Sequence, residues 1–140
     1  IAQGHRDTVV CAFRMEEDMD SGPIYLKRAL SLEGIAEEIY LRASEIVADM
    51  ILEIVTRQPT ARVQEGETVV FQRRKPEQSL IPMGLKEMRD IFDHLRMLDA
   101  EGYPKAFIDY GGFRYEFSRP ALRTNEIWAD VRIAPITEES

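Results

Sequence analysis

Met19-Asp20-Ser21-Gly22-Pro23-Ile24 places one carboxylate in a tight turn between two apolar runs. Thr8 to Met15 reads as one strand and Pro23 to Leu30 as the next. Gly22 allows backbone approaches that a β-carbon forbids, and Pro23 fixes the φ that follows. Two uses suit such a turn. Asp20 can bond its own backbone in an ordinary Asp-Ser-Gly turn. The spacing by itself favours that ordinary use; the alternative is that Asp20 presents its carboxylate to a ligand, since loop residues on a rigid scaffold reach solvent.

Upstream, Thr8 to Met15 is almost uniformly apolar, without alternation. That pattern fits a strand covered on both faces, as in an α/β layer. Glu16-Glu17-Asp18 reads as an acidic loop, with Glu16 solvated. Downstream, the spacing predicts a helix over 32–57. Ile35, Ile39, Ala43, Ile46, Met50 and Ile54 recur at three and four residues. Ala36, Val47, Ile51 and Val55 widen this stripe into a broad buried face. Ser31 is a natural N-cap and Glu33 suits the positive end of the dipole. Gly34 weakens the first turn, and Pro59 stops the helix just after Arg57.

Residues 58–67 read as a connector with a turn at Glu65-Gly66-Glu67. Thr68 to Gln72 reads as a short strand, and Arg73 to Pro82, with two prolines, as an extended linker. Leu85, Met88, Phe92, Leu95 and Leu98 predict a second helix that Gly102 ends. His94, beside Asp93 on this helix, has a surface or cap role. The period then falls to two. Ala106–Tyr110, Gly111-Gly112 and Phe113–Ser118 read as a hairpin. Glu126 to Ala134 adds a strand with Ile127, Ala129, Val131 and Ile133 facing in and Trp128, Asp130 and Arg132 facing out.

A chain of 140 residues holds one domain, or one with a small appendage. Its net charge of −7 disfavours a non-specific nucleic-acid or anionic-membrane surface. No apolar stretch reaches the roughly 20 residues of a membrane span. The single cysteine, Cys11, sits in an apolar run and reads as buried and inert. One cysteine and no signal peptide point to the cytoplasm. The first residue is Ile1, so the chain reads as starting within something larger.

Few constellations carry chemistry. The sequence has no Gly-rich phosphate loop and no Gly-x-Ser-x-Gly. His5 and His94 are the only histidines, and neither pairs with a nucleophile or a metal-ligand set. No metal site is expected. Asp20 is the one carboxylate whose context differs from a solvated face.

Thr8-Val9-Val10, Met15 and Met19 to Ile24 together resemble the formyltransferase family that uses 10-formyltetrahydrofolate. The resemblance lies in a strand, an Asp-x-Gly-Pro-Ile turn, a strand and a long helix. Phe71-Gln72-Arg73-Arg74-Lys75-Pro76-Glu77-Gln78-Ser79 resembles the stretch leading to that family's C-terminal domain. Leu95-Arg96-Met97-Leu98-Asp99 with Gly102 to Phe107 resembles an Arg-Ala-Leu…Tyr-Pro-Gly-Ala-Phe element within it. The implied fold is α/β: the second half of a Rossmann-like formyltransferase domain, then a small β-rich, OB-like domain. The implied boundaries are 1–60, a connector at 61–84, and 85–140.

The resemblance carries the family's catalytic Asp onto Asp20. The family's Asn and His lie upstream and have no match here, so the 140 residues alone are expected to be inactive. In the family chemistry an amine attacks the formyl carbon, and Asn and protonated His stabilise the oxyanion. The Asp keeps the His charged and helps move the amine proton. Glu17, Asp18 and Met19 would form the loop over the folate ring, with Ser21 and Gly22 shaping the turn.

Residues 85–140 hold eight Lys and Arg against eleven Asp and Glu, a balance of −3 and a poor surface for tRNA. The preferred acceptor is therefore a nucleotide-linked amino sugar, whose phosphates Arg73, Arg74 or Lys27 would meet. A methionyl-tRNA formyltransferase-like enzyme is the alternative, and a non-catalytic folate- or sugar-nucleotide-binding module is a third reading. A homodimer is admitted.

Overall fold

The computed structural model describes residues 1–18, 20–66 and 69–136. In chain order they form β1 (Asp7–Phe13), β2 (Ile24–Ser31), α1 (Ala36–Arg57), a 3-10 turn (Pro76–Ser79), α2 (Met88–Arg96), β3 (Ala106–Tyr110), β4 (Phe113–Leu122) and β5 (Ile127–Pro135). The chain divides into two compact units. A strand–helix unit comprises residues 6–33 and 39–72. A C-terminal unit comprises 1–5, 34–38 and 73 onward.

In the strand–helix unit, β1 and β2 form a two-stranded antiparallel sheet, with Asp7 opposite Ser31 and Phe13 opposite Ile24. Leu30 of β2 and Ile39 and Met50 of α1 are buried, and Arg28 of β2 reaches Glu53 of α1 at 2.5 Å. Two sequence expectations change here. The strand at 7–13 is not covered on both faces: its first three residues are exposed and its last four, Cys11 included, only half-buried. Among the described residues this sheet holds two strands, and the uniform apolarity of the segment does not reveal what covers it. The broad apolar face of α1 is also only partly used. Among the described residues Ile51 and Val55 are 58% and 68% exposed.

The entry to α1 is later than the periodicity suggests. Ser31 Oγ accepts from the Glu33 amide at 3.3 Å, but Gly34 then turns the chain at φ 85°. The helix starts at Ala36, with the Glu38 carboxylate accepting from the Ile35 amide at 2.9 Å. This half of a capping box explains the shift.

In the C-terminal unit, β3, β4 and β5 form an antiparallel sheet in that order, and α2 packs on β4. The core is Leu95, Leu98 and Ala106, with Ile81, Ile91, Met97, Phe117 and Ile127 against them. The expected inner face of the last strand holds only in its first half. Ile127 and Ala129 are half-buried, whereas Val131 and Ile133 are exposed. The second helix is shorter than the pattern, ending at Arg96, and Gly102 (φ 76°) serves a later turn.

Residues 73–82 are more than an extended linker. The Lys75 amide donates to Gln78 Oε1 at 2.7 Å and closes the 3-10 turn, and the Ile81 amide donates to the Phe107 carbonyl at 2.8 Å. The expected strand at 68–72 is not formed over 69–72, and Thr68, like Glu67 of the expected turn, lies outside the described residues.

Two buried polar groups tie this unit together. Arg96, 1% exposed, donates to Asp93 Oδ1 at 2.5 Å and to the Gly34 carbonyl at 2.7 Å. Asp99 accepts from Lys105 Nζ at 2.8 Å and from the Arg119 amide at 2.6 Å. Arg119 (φ 50°) occupies the irregularity between Ser118 and Ala121, so Asp99 holds the bulge in β4.

Candidate active site

The acidic turn closes the β1–β2 hairpin. Beyond Phe13 the pairing continues through the Arg14 amide, which donates to the Pro23 carbonyl at 2.8 Å. Arg14 also pairs with Glu16 at 2.7 Å, so Glu16 is engaged rather than simply solvated. Ser21 Oγ donates back to the Asp18 carbonyl at 2.9 Å. Gly22 is buried, and a β-carbon there would lie 1.6 Å from the Arg14 carbonyl oxygen. Only glycine lets these two backbone segments pass so closely.

Asp20 has φ 56°, the left-handed region that Asp enters more readily than most residues. It is exposed, and among the described residues its carboxylate makes no ion pair. Glu17 and Asp18 are exposed beside it, and Met19 lies outside the described residues.

The turn is held from the side by a segment that sequence reasoning took for a connector. Arg62 forms an antiparallel bridge with Ile24, at 2.7 and 2.9 Å. Two residues later, Gln64 Nε2 donates to the Asp20 carbonyl at 2.6 Å and to the Gly22 carbonyl at 2.7 Å. Ile24, Tyr25, Lys27, Arg62, Gln64 and Glu65 border a cavity of about 540 Å³. No local pattern announces Gln64, since its partners are more than 40 residues away.

The three cations proposed for phosphates fall in different units. Lys27 borders the cavity just described. Arg73 and Arg74 instead line a cleft of about 720 Å³ in the C-terminal unit, with Met97 and Tyr103 on its walls. Arg74 donates to the Gln78 carbonyl and to Met97 Sδ, and burial lowers its pKa.

His94 is half-buried, not a surface residue: its Nε2 lies 3.3 Å from the Ser79 carbonyl. Burial lowers its pKa below the ordinary value, and the charge of Arg74 adds to that. The folded state therefore resists protonating His94, while the unfolded chain accepts the proton near pH 6.5. Stability of the C-terminal unit is full above that value and falls as the pH drops through it toward the folded pKa. A thermal melt series from pH 8 to pH 5.5 is expected to show this decline. Replacing His94 by Gln should flatten it; an unchanged slope would contradict the assignment.

No helix is long and apolar enough to cross a membrane among the described residues. Among the same residues, no group of three His, Cys, Asp or Glu side chains is placed to hold a metal ion.

Comparison with known proteins gives a consistent pattern. Residues 76–134 match the family described as methionyl-tRNA formyltransferase, C-terminal domain. No curated protein matches. Among solved structures, the chain is similar to methionyl-tRNA formyltransferase from Clostridium thermocellum, at 48% identity and a TM-score of 0.90. That match covers 95% of this chain and 59% of the other, so the chain spans about three fifths of that relative. A variant of HypX from Aquifex aeolicus aligns with a TM-score of 0.65 at 14% identity, over 89% of this chain and 24% of that one. The HypX likeness shows shared fold alone. The first two matches support kinship with the formyltransferases.

Proposed function

We propose that the intact protein transfers a formyl group from 10-formyltetrahydrofolate to an amine, with Asp20 as a catalytic carboxylate. The observation that carries this reading is the Asp20 turn. Gly22, Pro23 and Gln64 fix its backbone while the carboxylate stays open to solvent. Kinship with a formyltransferase over nearly the whole chain supports it. In the proposed reaction the amine nitrogen bonds the formyl carbon, the bond from that carbon to the folate nitrogen breaks, and the proton lost by the amine ends on that folate nitrogen. Asp20 would keep a catalytic histidine charged and help accept that proton. Glu17, Asp18, Met19, Ser21 and Gly22 would line the folate site.

Two acceptors have support. The matched family and the solved relative, a methionyl-tRNA formyltransferase by name, favour the amino group of methionyl-tRNA. The acidic balance of residues 85–140 favours a nucleotide-linked amino sugar. On this reading residues 1–60 complete a Rossmann-like domain, 61–84 connect, and 85–140 form an OB-like domain. The protein works in the cytoplasm.

Asp20→Asn in the intact protein is expected to lower turnover by about 100-fold or more, the usual loss on removing a general acid–base group. Turnover is measured with each acceptor in turn. Wild-type turnover in that variant would remove Asp20 from the chemistry.

A further inference from the structure

We infer that Gln64 is a positioning residue for the formyl-transfer centre: its side-chain amide holds the Asp20 turn in the conformation that presents the carboxylate. The inference rests on the reading of Asp20 given above.

The geometry supports it from several sides. Gln64 spends both hydrogens of one nitrogen on the carbonyls that flank Ser21, at 2.6 Å to Asp20 and 2.7 Å to Gly22. Asp20 sits at φ 56°, a strained conformation that persists only where surrounding contacts over-determine it. Its own carboxylate makes no ion pair among the described residues, so the turn backbone alone decides where its Cα–Cβ bond points. On the other flank Gly22 is already pressed against Arg14 and cannot yield. Gln64 is therefore the adjustable side of the bracket.

The base of Gln64 is itself fixed. The Arg62 bridge to Ile24 pins its backbone two residues upstream, so the side chain reaches the turn from a set distance. A side chain of the same length without a donor would fill the space and release the turn. One with an ammonium would restore hydrogen bonds to both carbonyls.

The test uses the intact protein and measures formyl transfer. Gln64→Met keeps the volume and removes the donor. It is expected to lower kcat by about 10- to 100-fold, the scale of an ångström-level misplacement, with KM for the amine unchanged. Gln64→Lys should recover part of that loss, which a merely structural role would not predict. Adding Gln64→Met to Asp20→Asn should cost nothing further, because both changes act on one group.

Three results would overturn the inference. In the first, Gln64→Met turns over at the wild-type rate while Asp20→Asn is inactive; Asp20 then stands and Gln64 falls. In the second, the two losses multiply, so that Gln64 acts elsewhere. In the third, Asp20→Asn itself is fully active, and the reading of Asp20 falls together with the inference. A melting temperature near the wild-type value for Gln64→Met, or failing that for Gln64→Lys, certifies that the comparison is between folded proteins.

Discussion

Gly22→Ala is expected to destabilise the strand–helix unit and, on the proposed function, to cut formyl transfer by the intact protein sharply. The added methyl would sit 1.6 Å from the Arg14 carbonyl oxygen, less than half an ordinary contact distance. The obstacle is backbone, and it is tied in turn to Pro23 by the Arg14 amide. No rotamer change relieves it. Either the hairpin end opens or the Arg14–Pro23 bond breaks. Overpacking of this kind costs about 3 kcal/mol or more, at the upper end of the range for inserted methyl groups. Activity should fall by on the order of 100-fold, because the neighbouring Asp20 shifts by an ångström or more. Chemical denaturation and steady-state turnover check the two halves separately. A variant with wild-type stability and turnover would show that the close approach is not required.

Arg96→Met is expected to be the most damaging change in the C-terminal unit. Arg96 is 1% exposed and serves both the Asp93 carboxylate and the Gly34 carbonyl. Truncating one partner of a buried pair leaves the other charge unpaired in a poor dielectric, which costs about 3–5 kcal/mol. Asp93 retains a weaker contact with Arg89 at 3.4 Å, which places the expectation at the low end, about 3 kcal/mol. For a unit of this size that corresponds to a fall in melting temperature of roughly 15 °C. Arg89→Met is the control: its guanidinium is part-exposed, so losing it should cost about 1 kcal/mol or less. Calorimetry that found the two variants equal would refute the buried role. Arg96→Lys should not rescue it, since a single ammonium cannot reproduce the fork that meets both acceptors.

How far the sequence foretold all this differs from element to element. The hairpin of β3 and β4 was plain, because alternation and the Gly111-Gly112 turn are local signals that tertiary context did not override. The existence of α1 was equally plain. Its start was not, since Gly34 and the Glu38 cap act one by one, beneath any periodicity. Asp20 and Gly22 could be singled out because turn chemistry is written in neighbouring residues. Gln64 could not, because a glutamine in a polar connector looks the same whether or not its amide has a distant duty. The half-buried place of His94 is hidden for a related reason: its partner is the Ser79 carbonyl of the 3-10 turn, in a stretch whose two prolines suggest an open linker.

The Gln64 contact also bears on the order in which the molecule assembles. Its two hydrogen bonds join residues 44 and 42 positions apart, so each closes a long loop. Closing a loop of that length costs chain entropy before any contact repays it. The β1–β2 hairpin and α1 rest on nearer neighbours and can form without it. The Asp20 turn thus takes its final shape only after residues 62–64 have returned to the hairpin. If Asp20 carries the proposed chemistry, its geometry is then a late event in folding and an early loss in partial unfolding, so activity should disappear from a population before its secondary structure does.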